Sequence, residues 1–122
     1  MKTGIEMIAE ERQRQIDVEG YSEQHDSQHK TSEFIRAAIA YIESAKIGVY
    51  CMELGNHDEN SILVRKVEMG RATSPWKDGF KASTDVRDLV KAGALIAAAI
   101  DRLQKEPMAA EMAEKMDKLI NG

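Results

Sequence analysis

Ser83 to Lys105 reads STDVRDLVKAGALIAAAIDRLQK, and this stretch decides the fold. Apolar or small residues recur at Val86, Leu89, Val90, Gly93, Ile96, Ala97, Ile100 and Leu103, the spacing of one helix face. From Gly93 to Ile100 no polar residue occurs on any face, so the pattern predicts a helix over Asp85–Lys105 whose middle is surrounded by protein. Asp85, Arg87, Asp88 and Lys91 place ionisable groups beside that enclosed part. A charged turn feeding a buried helix is either a structural ion-pair network or the wall of a polar site.

Working outward, a first helix is expected from Thr3 to Val18, ended by Gly20, with the stripe Ile5, Ile8, Ala9, Arg12 and Ile16. Arg12 falls on the face expected to be buried, with Glu11 and Gln15 at its edge. Its guanidinium either reaches water past the core or is held by a carboxylate. Gly20 to Lys30, GYSEQHDSQHK, reads as an ordered polar loop. A second helix starts at a Thr31 or Ser32 cap and carries Phe34, Ile35, Ala38, Tyr41, Ile42, Ala45, Val49 and Met52. Gly55-Asn56 is its stop signal. Asn56 to Lys81 gives no clear period; SILVRKVEM (Ser61 to Met69) fits a short helix or a strand, and the remainder reads as loop. Beyond the opening stretch, Pro107 suits the first turn of a last helix over 107–120 with Met108, Met112, Met116 and Leu119 on one side. That methionine face either caps the core or packs on another subunit. The expected architecture is one all-α domain spanning 1–122, a compact bundle of about four helices with a long ordered loop between the second and third.

Composition narrows the function classes. A net charge of -4 argues against nucleic-acid binding through bulk charge. The single cysteine, Cys51, rules out an intramolecular disulfide, and its helical position predicts a buried thiol with no nucleophilic role. The start, MKTGIEMIAEERQRQ, has charges throughout instead of a signal-peptide core, and no apolar run approaches the roughly 20 residues needed to span a bilayer. A cytoplasmic protein with no membrane contact is expected.

Three groups of residues carry possible chemistry. His25 and His29 stand four apart, as zinc-binding histidines do on a helix, yet no third ligand accompanies them, so no metal site is assigned. Trp76 lies between turn residues in Pro75-Trp76-Lys77-Asp78-Gly79-Phe80-Lys81; its indole either plugs the bundle or offers a stacking surface, with lysines near enough to meet phosphate. Asp85, Arg87, Asp88 and Lys91 form the third group. The acids suit a helix N-terminus, and the bases could bind phosphate or pair with acids of the first helix such as Glu11.

The segments EERQRQI (Glu10 to Ile16), GYSEQHD (Gly20 to Asp26), AAIAY (Ala37 to Tyr41), Pro75-Trp76 and DVRDLVKAGALIAAAIDRL (Asp85 to Leu103) together resemble a family of small, uncharacterised phage- and prophage-encoded proteins. In that family an acidic residue commonly stands where this chain has Ala99. The resemblance implies a protein acting in the host cytoplasm. Asp85-x-x-Asp88 is also similar to one half of the magnesium-binding carboxylate motif of MazG-like nucleotide pyrophosphohydrolases, which are all-α. The second helix lacks the other half, since Arg36 and Ala37 follow Glu33 where a carboxylate is needed.

The leading expectation is a phage-borne protein that binds or sequesters a phosphorylated, nucleotide-like small molecule without a cofactor. Trp76 would stack on the ring, Arg12, Lys77, Arg87 and Lys91 would meet negative charge, and His25, Asp26 and Asp88 would give polar recognition. One alternative is a magnesium-dependent pyrophosphohydrolase using Glu11, Glu33, Asp85 and Asp88. Another is a helical interaction module, or homo-oligomer, acting through the methionine-rich last helix.

Overall fold

The computed structural model describes residues 1–18, 29–76 and 79–122. The described residues form five helices and no strand: α1 (Gly4–Asp17), α2 (Thr31–Glu53), α3 (Glu59–Thr73), α4 (Asp85–Lys105) and α5 (Pro107–Asn121). The all-helical bundle expected from the periodicity is observed, but with five helices instead of four. The additional one, α3, makes Ser61 to Met69 helix, one of the two expected alternatives, and extends a few residues into the flanks expected to be loop.

Local chemistry explains where the helices begin. Thr3 caps α1 by accepting from the Glu6 amide at 3.2 Å, and Glu6 returns a carboxylate oxygen to the cap, a reciprocal box. Asp58 caps α3 through the Ser61 amide (3.3 Å), Thr84 caps α4 through the Arg87 amide (3.2 Å), and Pro107 sits in the first turn of α5. The cap of α2 is Lys30, one residue before the expected threonine or serine. There the Glu33 carboxylate accepts from the Lys30 amide at 2.7 Å, and the Thr31 hydroxyl is taken by Arg102 Nε at 3.1 Å. Gly55, at φ 80, ends α2 in the left-handed conformation that glycine reaches without strain.

α2 and α4 form the centre. They run antiparallel, since the Arg102 guanidinium lies 4.9 Å over Phe34, Ser44 bonds Asp88, and Asp85 lies against Gly48. The seam between them is built largely from small residues: Ala37, Ala38, Ala92, Ala98 and Ala99 are buried, together with Phe34 and Leu95. α3 covers α2 and α1 covers α4, while α5 touches only the end of α4 among the larger helix contacts.

This packing overturns the expectation that α4 is enclosed on all sides. Ile96 is 43% exposed and Ile100 50%, while the alanines beside them are buried. The same inversion holds on α2, where Ile35, Ile42 and Met52 face outward. Helices that meet through alanines approach closely and leave the larger side chains outside the seam. On α1 the buried pair is Glu11 and Gln15, and Ile5 is exposed, so the helix is turned by about one residue from its hydrophobic stripe. Cys51 is buried, as expected of its helical position. No helix among the described residues is long and apolar enough to cross a membrane.

Candidate functional site

Two ionic clusters flank the α2–α4 seam. In the first, the Glu11 carboxylate is wholly buried and accepts two hydrogen bonds from Arg14, from Nε and Nη2, both at 2.8 Å. Arg87 of α4 reaches the same carboxylate, and Gln15 Nε2 donates to it at 3.3 Å. Burial pushes the Glu11 carboxyl upward. The Arg14 hydrogen bond and the Arg87 and Arg14 charges outweigh that, so its pKa lies below the ordinary carboxylate value. This cluster cross-links α1 and α4.

The second cluster lies where α2, α3 and α4 meet. Asp88 is fully buried and its acceptors are satisfied by Ser44 Oγ at 2.8 Å, Lys66 Nζ at 3.0 Å and the Ser83 amide at 2.9 Å. Lys66, 4% exposed, also pairs with Asp85. A buried ammonium held by two carboxylates, one of them also accepting from the Ser44 hydroxyl, is a closed network in which the cation is fully compensated.

Between these clusters, on one side of the seam, lies a cleft of about 290 Å³. α1 contributes Glu11, Arg14 and Gln15, α2 contributes Ala37 and Tyr41, and α4 contributes Lys91 and Leu95. The connection from α3 to α4 supplies Ser74, Trp76, Gly79, Phe80 and Lys81. Within that connection the Gly79 and Phe80 amides both donate to the Trp76 carbonyl, at 2.9 and 3.0 Å, and the Trp76 amide donates to Ser74 Oγ at 3.1 Å. Phe80 then packs 4.9 Å from the Tyr41 ring, and Trp76 lies edge-on to Phe34 at 5.3 Å and near His29 at 5.4 Å. Trp76 thus anchors its loop to the core and lines the cleft.

The polar groups of the cleft are unevenly matched. Lys91 Nζ lies 5.3 Å from the Tyr41 ring centroid and 3.5 Å from the Lys81 carbonyl, and no described carboxylate is in ion-pair range of it. Burial lowers its pKa, and the Arg87 charge lowers it further, against partial compensation from Asp88 and Glu11. Gln15 is 2% exposed; its amide nitrogen is fixed by Glu11, which leaves Oε1 as a buried acceptor without a donor among the described residues.

Of the residues expected to bind ligand, Trp76 and Lys91 share this cleft. Arg87 is drawn to Glu11 and borders a neighbouring groove with Lys2, Met7 and Val86. Asp88 belongs to the Lys66 network. Arg12, 16% exposed at its side chain, points toward Asp101 on α4 at 3.7 Å, so it is a largely covered arginine facing a carboxylate and not part of the cleft lining. His25, Asp26 and Lys77 lie outside the described residues. The carboxylates of the magnesium alternative are not gathered. Glu33 caps α2 and faces His29 Nδ1 at 3.4 Å, about 16 Å along the helix from Ser44, the partner of Asp88. Among the described residues no three histidine, cysteine or acidic side chains are grouped to hold a metal ion.

Arg14, Tyr41 and Phe80 are cleft residues to which the sequence pattern assigns no ligand role, while Lys81 is one of the two lysines of the Trp76 segment. The i, i+4 pair Glu11 and Gln15 is the one signal that could have marked the wall, had the polar face of α1 been read as the inner one. Comparison with protein-family models, with curated proteins and with solved structures returned no match.

Proposed function

We propose that this cleft binds a small phosphorylated molecule with a flat ring, of the nucleotide kind, and that the protein acts as a binder of it. The carrying observation is Lys91: a half-buried ammonium, already weakened as a base by burial, stands beside the Tyr41 ring with no carboxylate among the described residues in ion-pair range. An anionic group placed there would supply the missing charge, with Arg14 and Lys81 along the same lining. Trp76, Tyr41 and Phe80 offer faces or edges to a ring. Gln15 Oε1 calls for a donor, which an amino or ring N–H group would provide. A phage-borne role in holding a nucleotide during infection agrees with the sequence resemblance and belongs to the same proposal.

The test is a thermal-shift screen of ribo- and deoxynucleoside mono- and triphosphates, with and without Mg²⁺. A ligand present at 100 times its Kd adds about 2.7 kcal/mol of stability, roughly 10 °C for a chain of this size. The expected result is a shift that does not need metal, leaves the ligand unconsumed, and shrinks in Lys91→Met and Gln15→Leu. Turnover that requires Mg²⁺ would replace the binder with an enzyme. No shift at millimolar ligand would end the proposal.

A further inference from the structure

Gln15 stands on the cleft wall with an amide that can be read in only one sense. The residue is 2% exposed, and its Nε2 donates to the Glu11 carboxylate at 3.3 Å. Turning the amide over would set Oε1 against that carboxylate, two acceptors with no proton between them. Glu11 is itself held: Arg14 donates to both of its oxygens at 2.8 Å, and Arg87 reaches it from α4. The lock therefore runs from α4 through Glu11 to Gln15. It leaves Oε1 as a buried acceptor that no described residue serves.

Such an acceptor has been taken out of bulk water by folding, so a donor that reaches it gains most of a full hydrogen bond. An acceptor or a C–H group at the same place gains nothing. The kind of donor follows from the position. Oε1 is recessed, since Gln15 shows almost no surface. An exocyclic amino group projects past the edge of a flat ring and can enter a recess. The N–H of a keto ring is set back within the ring and stands beside a carbonyl, whose oxygen would be brought toward Oε1 and repelled by it.

We propose that Gln15 is the specificity-determining residue of the cleft, and that it selects an amino-substituted heteroaromatic ring, of the adenine or cytosine type, over the corresponding keto ring. This rests on the reading of the cleft as a site for a phosphorylated flat-ring molecule, and it adds which ring. Lys91 and Lys81, on the same lining, remain available to the phosphate. Glu11 acts as a positioning residue, by fixing the polarity of the neighbouring amide.

Isothermal titration calorimetry on the full chain without Mg²⁺ tests it with two pairs of compounds. Adenosine monophosphate is compared with inosine monophosphate, and cytidine monophosphate with uridine monophosphate; within each pair an amino group is exchanged for a carbonyl. In the wild type an amino member is expected to bind about 10- to 100-fold more tightly than its keto partner. Gln15→Leu, which suits a buried position, should remove that ratio. Glu11→Gln frees the Gln15 amide to turn and offer Nε2 to the ligand, so the keto partner should gain and the ratio fall to within about threefold. Loss of stability alone would weaken both members of a pair and leave the ratio unchanged. Equal affinities within both pairs, or a keto preference, would overturn the assignment while leaving the cleft a phosphate site. A ratio that survives Gln15→Leu would do the same. Binding by none of the four compounds would remove the reading of the cleft itself, and this proposal with it.

Discussion

Glu11 offers the sharpest test of how α1 is held in place. Its carboxylate is fully buried and receives four hydrogen bonds, two from Arg14 and one each from Arg87 and Gln15. Glu11→Ala would leave two guanidinium groups facing each other with no counterion. Breaking a buried ion pair on one side costs about 3–5 kcal/mol. The arginine side chains are 36% and 40% exposed and can turn to water, which brings the expected loss to about 2–3 kcal/mol. For a chain of this length that is roughly 8–12 °C in melting temperature. Glu11→Gln keeps the shape and should lose about half as much.

The pH dependence separates this mechanism from simple loss of packing. The folded-state pKa of Glu11 lies below its unfolded value of 4.5, so the native state holds its carboxylate charged at pH values where the unfolded chain takes up a proton. The stabilisation is complete above 4.5 and disappears as pH falls through the lowered value. Urea denaturation of wild type and Glu11→Gln, run from pH 7 down to pH 3, should therefore converge at the acid end. A difference below 1 kcal/mol at pH 7, or one that stays constant with pH, would refute the ionic account.

Lys66→Met should cost about 3–5 kcal/mol, because the buried Asp88 loses its cation; adding Asp88→Leu should recover part of that loss, checked by a double-mutant cycle in urea. Gly70→Ala places a methyl group inside the Phe80 ring position, so a loss of about 1–3 kcal/mol is expected, with altered near-ultraviolet circular dichroism from the displaced aromatic cluster. Lys91 is lowered from 10.5 in the folded chain, so the unfolded chain binds its proton more tightly. Stability should therefore gain a contribution between the lowered value and pH 10.5 that Lys91→Met lacks, read from urea midpoints across that range.

The extent of α4, the proline start of α5 and the glycine stop of α2 are legible in the sequence because they depend on local helical period and end signals, whichever face is buried. α3 was obscure for a physical reason: the residues it buries are Lys66 and Gly70, an ion-paired lysine and a glycine that makes room for Phe80, so no apolar stripe announces the helix. The face of α1 was misread because its inner surface is a glutamate and a glutamine, sustained by partners on α4 and within α1 that spacing alone cannot reveal. Side-chain size misled at the seam, where alanine is inside and isoleucine outside. Lys91 and Trp76 were visible as cleft candidates through their chemical type, whereas Tyr41 and Phe80 meet only through tertiary contact.

The alanine seam has a mechanical consequence. Two backbones in such close register, with Asp85 lodged against Gly48, leave no slack for one helix to slide or roll along the other. The inner wall of the cleft, Tyr41 and Lys91, is therefore fixed scaffolding. The facing walls are held differently: α1 is clasped by charge, and Trp76 is pinned by its ring against Phe34.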